Sequence, residues 1–460
     1  PYDSIFDLLF YFVMKTFQVK GLLQQTGWHL NQYITLDVGG TIIDISNNGE
    51  ASEYINGYVI PGFQNSHSHA FQYAMAGLAE IHPINSHKDD FWSWREAMYQ
   101  VALSVDPDQL EGIATMLYAE MLRKGYTSVA EFHYLHHDKK GRPYDHLSEL
   151  GERLISAAAK AGINITLIPV FYHNGGFGKT FEPNQKRFIS PDADAYFKLL
   201  EASQKSVLHY ENARIGFGIH SLRAAAEKDI KKILAEGPKQ YPFHMHLAEQ
   251  LKEIDDCVSF YGQRPAEWLL DNCAVSDQFH LIHCTHLTTE ESTRLAASGA
   301  HAVLCPSTEG NLGDGIFSLS LFQSKGGKWS IGTDSQIGLN PLEEFKILDY
   351  VQRVSTHYRA QFTSEVEGDS GYYALDMAFR SGKKAIGVKV VDYFEMGTPF
   401  DGVVIDANTP LIAVSKPENI LATLFYSGHP SDFLGTIIAG KWVVKNQRHI
   451  HQDPSKMNLN

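Results

Sequence analysis

PGFQNSHSHAFQYAMAGLAE, residues 61–80, is the stretch on which the fold turns. Tyr58, Val59 and Ile60 just ahead of it are β-formers, so His67 and His69 belong where a strand runs out into a loop. Side chains at i and i+2 of a strand share a face. Two imidazoles placed in this way converge on one point, the approach a divalent metal such as zinc demands. The plain alternative is a pair of loop histidines with no ligand role. Later segments decide between the two by supplying further ligands or failing to.

The chain is 460 residues long and 43% hydrophobic, enough for a large buried core. Length alone suggests two or three domains, although barrels often exceed the average domain. A formal net charge of −14 argues against nucleic acid or an anionic membrane surface as partner, since both select basic patches. Cys257, Cys273, Cys284 and Cys305 show no Cys-x-x-Cys spacing, which fits free, mostly buried thiols in a reducing cytoplasm. Residues 5–14 (IFDLLFYFVM) are apolar, but they are too short to span a bilayer and lack a basic flank and a cleavage site. Residues 1–13 are therefore expected to be a mis-assigned start or a disordered extension, ahead of an ordinary beginning at Met14.

Elsewhere β-rich runs alternate with helical patterns. Strands are expected at 58–66, 127–134, 164–172, 213–221, 242–248, 279–286, 300–306 and 328–334. Helix-like segments lie between them at 108–124, 147–161, 191–207, 226–236, 263–272 and 288–298, several stopping at glycine, as at Gly125 and Gly162. Such alternation predicts a parallel sheet, and about eight units predict an α/β fold of the (β/α)8 barrel type. Residues 14–57 and 385–450 carry short β-like pieces and turns, and together are expected to form one small β-sandwich beside a barrel spanning 58–384.

Barrel active sites gather at the carboxyl ends of the strands. The expected ends here are rich in polar residues: His67 and His69, then Glu131 to Tyr134, His220 to Arg223, His244 to Glu249, His283 to His286, and Thr333 to Ser335. So many imidazoles and carboxylates on one rim read as a mononuclear metal hydrolase.

An HxH after strand one, histidines after strands five and six, and an aspartate after strand eight resemble the amidohydrolase superfamily. HSHAFQ (67–72), FWSWRE (91–96), AEFHYLHHD (130–138), HSLRA (220–224), HMHLAEQ (244–250), HCTHL (283–287) and STEGNLGDGIF (307–317) narrow the resemblance to the formimidoylglutamate deiminases. The resemblance implies His67, His69, His246 and Asp334 as ligands of one Zn²⁺, with Fe²⁺ or Mn²⁺ tolerated by the same donors. It implies Glu249, His283 and Asp334 as the proton-handling catalytic groups. Gln72, Arg95, Tyr134, His220 and Arg223 match the family's substrate-binding positions. Two guanidiniums suit a substrate with two carboxylates. With no lysine at the end of strands three or four, a carbamylated two-metal site is not expected.

Each assignment has a plainer competitor. Glu249 could form a loop salt bridge, and His283 could be a packed rim histidine with His286 in its place. Arg95 could pack on Trp92 or Trp94, Arg223 could pair with Glu227, and Tyr134 could be a barrel aromatic. The adjacent pair His136-His137 faces opposite ways on an extended chain, so a structural loop role is expected for it and Asp138. Residues 311–315 (NLGDG) read as turn chemistry shaping the pocket, without the lysine of a phosphate loop. Three positions depart from the family pattern: Tyr73, Gln336 and Gly310. The first two bear on substrate preference.

The reaction implied is hydrolysis of N-formimino-L-glutamate to N-formyl-L-glutamate and ammonia, a step of histidine degradation. Metal-activated water attacks the amidine carbon, and Glu249 protonates the departing nitrogen. A cytoplasmic homodimer acting on a small dicarboxylate amidine is the expected setting, with no nucleic-acid or membrane partner. The rivals are another deaminase of the superfamily, acting on guanine, cytosine or an adenosine derivative, and a non-catalytic scaffold.

Overall fold

The computed structural model describes residues 14–80 and 91–452; the stretch 1–13, where an aberrant start is expected, lies outside the described residues. Eight parallel strand positions form a barrel. They are β1 (Phe63–Ser68), β2 (Tyr126–His133), β3 (Asn164–Phe171), β4 (Ala213–Ile215 continued by Phe217–Ile219), β5 (Phe243–Leu247), β6 (Phe279–His283), β7 (His301–Leu304) and β8 (Lys328–Ile331). Each pairs with the next in sequence order. The chain closes the ring just beyond β8, where the N–H groups of Thr333 and Asp334 both donate to the His67 carbonyl at 3.0 Å. Gly332 permits this approach, because a Cβ there would stand 2.8 Å from His67 Cβ.

The expected first strand, 58–66, proves to be two. Glu53–Pro61 belongs to a second sheet, and the barrel begins only after Gly62. Proline, lacking an N–H, suits the end of a ladder and not its middle. The second sheet draws on both ends of the chain. Its order is Arg448–His449, Lys441–Lys445, Phe433–Ile438, Gly402–Asp406, Glu53–Pro61, Lys15–Gln24, Gly27–Leu36 and Ile42–Ser46. The N- and C-terminal portions meet where Gly402–Asp406 runs antiparallel to Glu53–Pro61. This is the small β-sandwich unit expected from the flanks.

The connecting helices begin and end on the signals their sequences carry. Asp106 caps Pro107–Arg123 through a reciprocal box with Gln109, and Thr288 does the same for Thr289–Ser298 with Glu291. Each such cap stabilises by ~1 kcal/mol. Gly162 ends Glu149–Ala161 in the left-handed region (φ 84°), which a side chain rarely adopts. Leu251–Tyr261, Pro341–Thr356 and Ser370–Ala385 are further helices outside the expected set. Buried apolar side chains pack both faces of the strands, Phe132 and Ile168 inside the barrel and Leu167, Met245 and Leu281 on the opposite face. That rigid packing fixes the strand ends and hence the rim.

Candidate active site

Four side chains meet at the carboxyl end of the barrel. His67 Nε2 lies 3.1 Å from both His69 Nε2 and His246 Nε2, and the Asp334 Oδ1 atom is 3.2 Å from His67 Nε2 and 3.1 Å from His69 Nε2. All four residues are buried. The backbone at this rim is strained: Ala248, His283 and Asp334 take positive φ values of 54°, 71° and 47°. Left-handed geometry at non-glycine residues costs about 1–3 kcal/mol and persists where the surroundings over-determine it. Here it turns the ends of β5, β6 and β8 inward.

The protonation pattern fits a divalent cation. His69 Nδ1 faces the Phe132 carbonyl at 2.9 Å, and His246 Nδ1 faces the His220 carbonyl at 3.0 Å. A carbonyl only accepts, so each Nδ1 carries the proton and each Nε2 offers a lone pair. Two lone pairs and a carboxylate oxygen then crowd one point around His67 Nε2, an arrangement that a shared cation satisfies. Burial lowers His67 to about 3, keeping its ring neutral. Although burial works against it, the His67 and His69 rings hold the Asp334 carboxyl well below its ordinary range. Neutral imidazoles with an ionised carboxylate are the forms in which these groups ligate metal.

Beside this group stand Glu249 and His283. His283 Nε2 is 3.7 Å from Glu249 Oε1 and 3.8 Å from Asp334 Oδ2, separations beyond direct hydrogen bonding. Burial alone would depress His283, yet Glu249, Glu309 and Asp334 surround it with negative charge and raise it to about 10. Burial pushes Glu249 up, against the opposing pull of His283 and Arg223. A carboxyl held above its usual range next to an imidazolium is equipped to carry a proton either way.

The pocket over this centre is lined by Gln72, Arg95, Tyr134, His220 and Arg223, with Tyr99, Tyr172, Phe188 and Leu312 completing the wall. Arg95 lies over the Tyr99 ring, 5.5 Å from its centre. Arg223 is partly buried and pairs not with Glu227 but with Glu253 at 3.3 Å and Glu249 at 3.8 Å. The Gln72 amide donates to the Tyr134 hydroxyl at 3.1 Å, and Gln72 Oε1 has no partner. Every candidate named from the sequence therefore reaches one site. His286, the alternative to His283, does not line the pocket. His136 binds the β3 carbonyl of Val170 at 2.9 Å, His137 binds the loop carbonyl of Ile189 at 2.8 Å, and Asp138 caps its own turn.

Residues 58–443 match the model of the amidohydrolase family. The chain belongs to the amidohydrolase family. It is 40% identical over 442 residues to a formimidoylglutamate deiminase from Pseudomonas aeruginosa, covering 95% of this chain and 96% of that one. A 5-methylthioadenosine/S-adenosylhomocysteine deaminase from Teredinibacter turnerae is 24% identical, over 85% of this chain and 80% of that one. The crystal structure of an amidohydrolase from Brucella melitensis superposes with a TM-score of 0.89 at 38% identity, covering 95% of this chain and 96% of that one. Among the described residues, no helix of this amidohydrolase is long and apolar enough to cross a membrane.

Several residues that support the amidohydrolase site were given no role in the sequence reading. Glu309 accepts from His283 Nδ1 at 3.2 Å and from the Cys305 N–H at 2.9 Å. Glu253 accepts from the N–H groups of Ala248 and Glu249, both at 3.2 Å, while also pairing with Arg223. Glu131, which burial raises to about 7, receives Ser68 Oγ at 2.7 Å and the Ala70 N–H at 2.6 Å, gripping the chain around His69. The available signal for Glu253 was a lone carboxylate in the first turn of a helix directly after HLAEQ. Gln336 departs from the family pattern, but its amide is spent on Ser68 Oγ, Thr333 Oγ1 and the Asp334 carbonyl at 2.9, 2.7 and 2.8 Å. It clasps β1 to β8, and neither it nor Tyr73 lines the active-site pocket.

Proposed function

We propose that this amidohydrolase hydrolyses N-formimino-L-glutamate to N-formyl-L-glutamate and ammonia in histidine degradation, with zinc held by His67, His69, His246 and Asp334. The observation that carries the reading is the arrival of two guanidiniums, Arg95 and Arg223, in the pocket above the three imidazoles and the aspartate. Kinship with a formimidoylglutamate deiminase supports the same substrate. The bound ion would supply a water acidified from about 15.7 toward neutrality and polarise the reacting carbon's substituents.

The chain's own residues account for the rest. Arg95 and Arg223 hold the two substrate carboxylates, which aims the formimino group at the metal group. Water adds to the amidine carbon, the bond to the terminal nitrogen breaks, and the carbonyl of the formyl product remains. Glu249 takes a proton from the water and delivers it to the terminal nitrogen, which leaves as ammonia. His283, tied to Glu309, stabilises negative charge growing on the attacking oxygen. Asp334 serves as a ligand and a second proton acceptor. Gln72, Tyr134 and His220 fix the substrate's orientation from the opposite wall.

Four free cysteines fit a cytoplasmic setting, and a homodimer is the proposed assembly. The deciding experiment is ammonia release with formiminoglutamate, guanine and cytosine side by side, together with metal analysis of the purified protein. Turnover of formiminoglutamate with about one zinc per chain supports the reading. Activity confined to the nucleobases would overturn the substrate and favour a deaminase using the tyrosine wall for stacking.

A further inference from the structure

Opposite the catalytic rim, at the amino ends of the strands, a second cavity of about 380 Å³ opens between the barrel floor and the sheet built from both chain ends. Its wall includes Ser128 of β2, Asn164 of β3, Arg214 of β4, Lys383 of the helix Ser370–Ala385, and Asp401. The carboxylate of Asp401 is already engaged: Oδ1 accepts from the Ala439 N–H at 2.7 Å and Oδ2 from Asn164 Nδ2 at 3.2 Å. Among the described residues, neither Arg214 nor Lys383 has a carboxylate oxygen within 4.0 Å, and neither side chain donates a hydrogen bond to a protein acceptor. Lys383 does lie over the Phe379 ring, 5.3 Å from its centre. The Ser128 hydroxyl, on a residue only 4% exposed, has no partner. Asp392, Glu395 and Lys389 stand at the exposed mouth, where solvent screens them.

Two half-buried cations sharing a recess with one committed carboxylate leave a positive excess. A guanidinium fork, an ammonium and a free hydroxyl together supply the donors that an oxyanion accepts. The space falls within the range of small-ligand sites. We propose that this floor cavity binds a small oxyanion, a carboxylate or phosphate, between Arg214 and Lys383 with Ser128 donating a third hydrogen bond. Burial holds both cations below their ordinary pKa ranges, with Asp401 as the opposing charge, and an incoming anion relieves that penalty. The site is independent of the reaction proposed for the rim.

Thermal unfolding and titration calorimetry on the purified chain test it, with inorganic phosphate and succinate as separate probes at an ionic strength fixed with sodium chloride. A saturable rise in Tm is expected with at least one probe, and the preferred probe tells phosphate from carboxylate chemistry. Arg214→Gln and Lys383→Gln should each weaken binding at least tenfold while leaving ammonia release at the parent rate. Binding should persist in the double variant Arg95→Met/Arg223→Met, which removes both guanidiniums from the catalytic pocket. The proposal falls if no saturable rise occurs, if both floor variants bind as the parent does, or if only the catalytic-pocket variant loses binding. Should Arg214→Gln fail to fold, Lys383→Gln decides alone.

Discussion

Two groups of three histidines occupy this barrel, and strand β5 contributes to both. At the rim, His67, His69 and His246 bring their Nε2 atoms to within 3.1 Å of His67. Toward the floor, His244, His280 and His301 lie in a ladder, with rings nearly parallel and centres 4.9 and 5.1 Å apart. Stacked rings present faces, not lone pairs, to one another. The ladder cannot share an ion, and its buried nitrogens include His301 Nδ1 and Nε2 without partners. Convergence at the rim depends on strand ends bent by left-handed residues and on carbonyls that fix Nδ1 of His69 and His246. In the ladder a carbonyl instead engages Nε2, that of Ala385 facing His244 at 2.9 Å. An imidazole becomes a ligand through the backbone that aims it.

The sharpest way to break the comparison is to exchange roles along β5. His246→Ala should cut kcat/KM by about 10³-fold or more and abolish stoichiometric metal, whereas His244→Phe should leave both near the parent values. Metal analysis alongside turnover reads the contrast, and equal losses in the two variants would refute it. Glu249→Gln should keep the metal but lower kcat by about 10²–10⁴-fold, because the proton route is lost and the ligand shell is not.

Smaller effects sharpen the picture. Arg95→Met and Arg223→Met should each lower kcat/KM on the dicarboxylate by about 10–100-fold, the worth of a charge-assisted bond. Arg223→Met should also lower stability, because Glu253 then stays buried without its cation. Glu309→Gln should cost about tenfold in kcat by loosening His283, with metal content retained.

The ladder gives the smallest signal. Burial and the nearby Lys384 and Lys328 lower His301 to about 3, against an ordinary 6.5. Between those values the unfolded chain binds a proton that the folded ring refuses. Its contribution to stability is therefore whole above 6.5 and is lost as pH falls through the window. Denaturant midpoints taken inside and above that window should differ less in His301→Gln than in the parent.

Much of this was legible in the chain itself. Alternating apolar strands and capped helices announced a parallel barrel because periodicity and caps are local properties. HSH at 67–69 announced a metal because alternate residues of a strand share a face. Yet HMH at 244–246 reads identically, and only one of its histidines reaches the rim. The break at Pro61-Gly62 was hidden inside a continuous apolar run, since burial on both faces erases the period that marks a strand's limits.

By itself, the sequence determined the fold class, the ring of polar strand ends and the residue types for metal and proton chemistry, all set by short-range pattern. The tertiary structure alone decided that Glu253 and Glu309 brace Arg223 and His283, that Gln336 clasps the barrel shut, and that Arg214 and Lys383 share a cavity. These pairings join residues from 3 to 268 positions apart, and only the closed barrel, which fixes where each strand ends, brings the distant ones together.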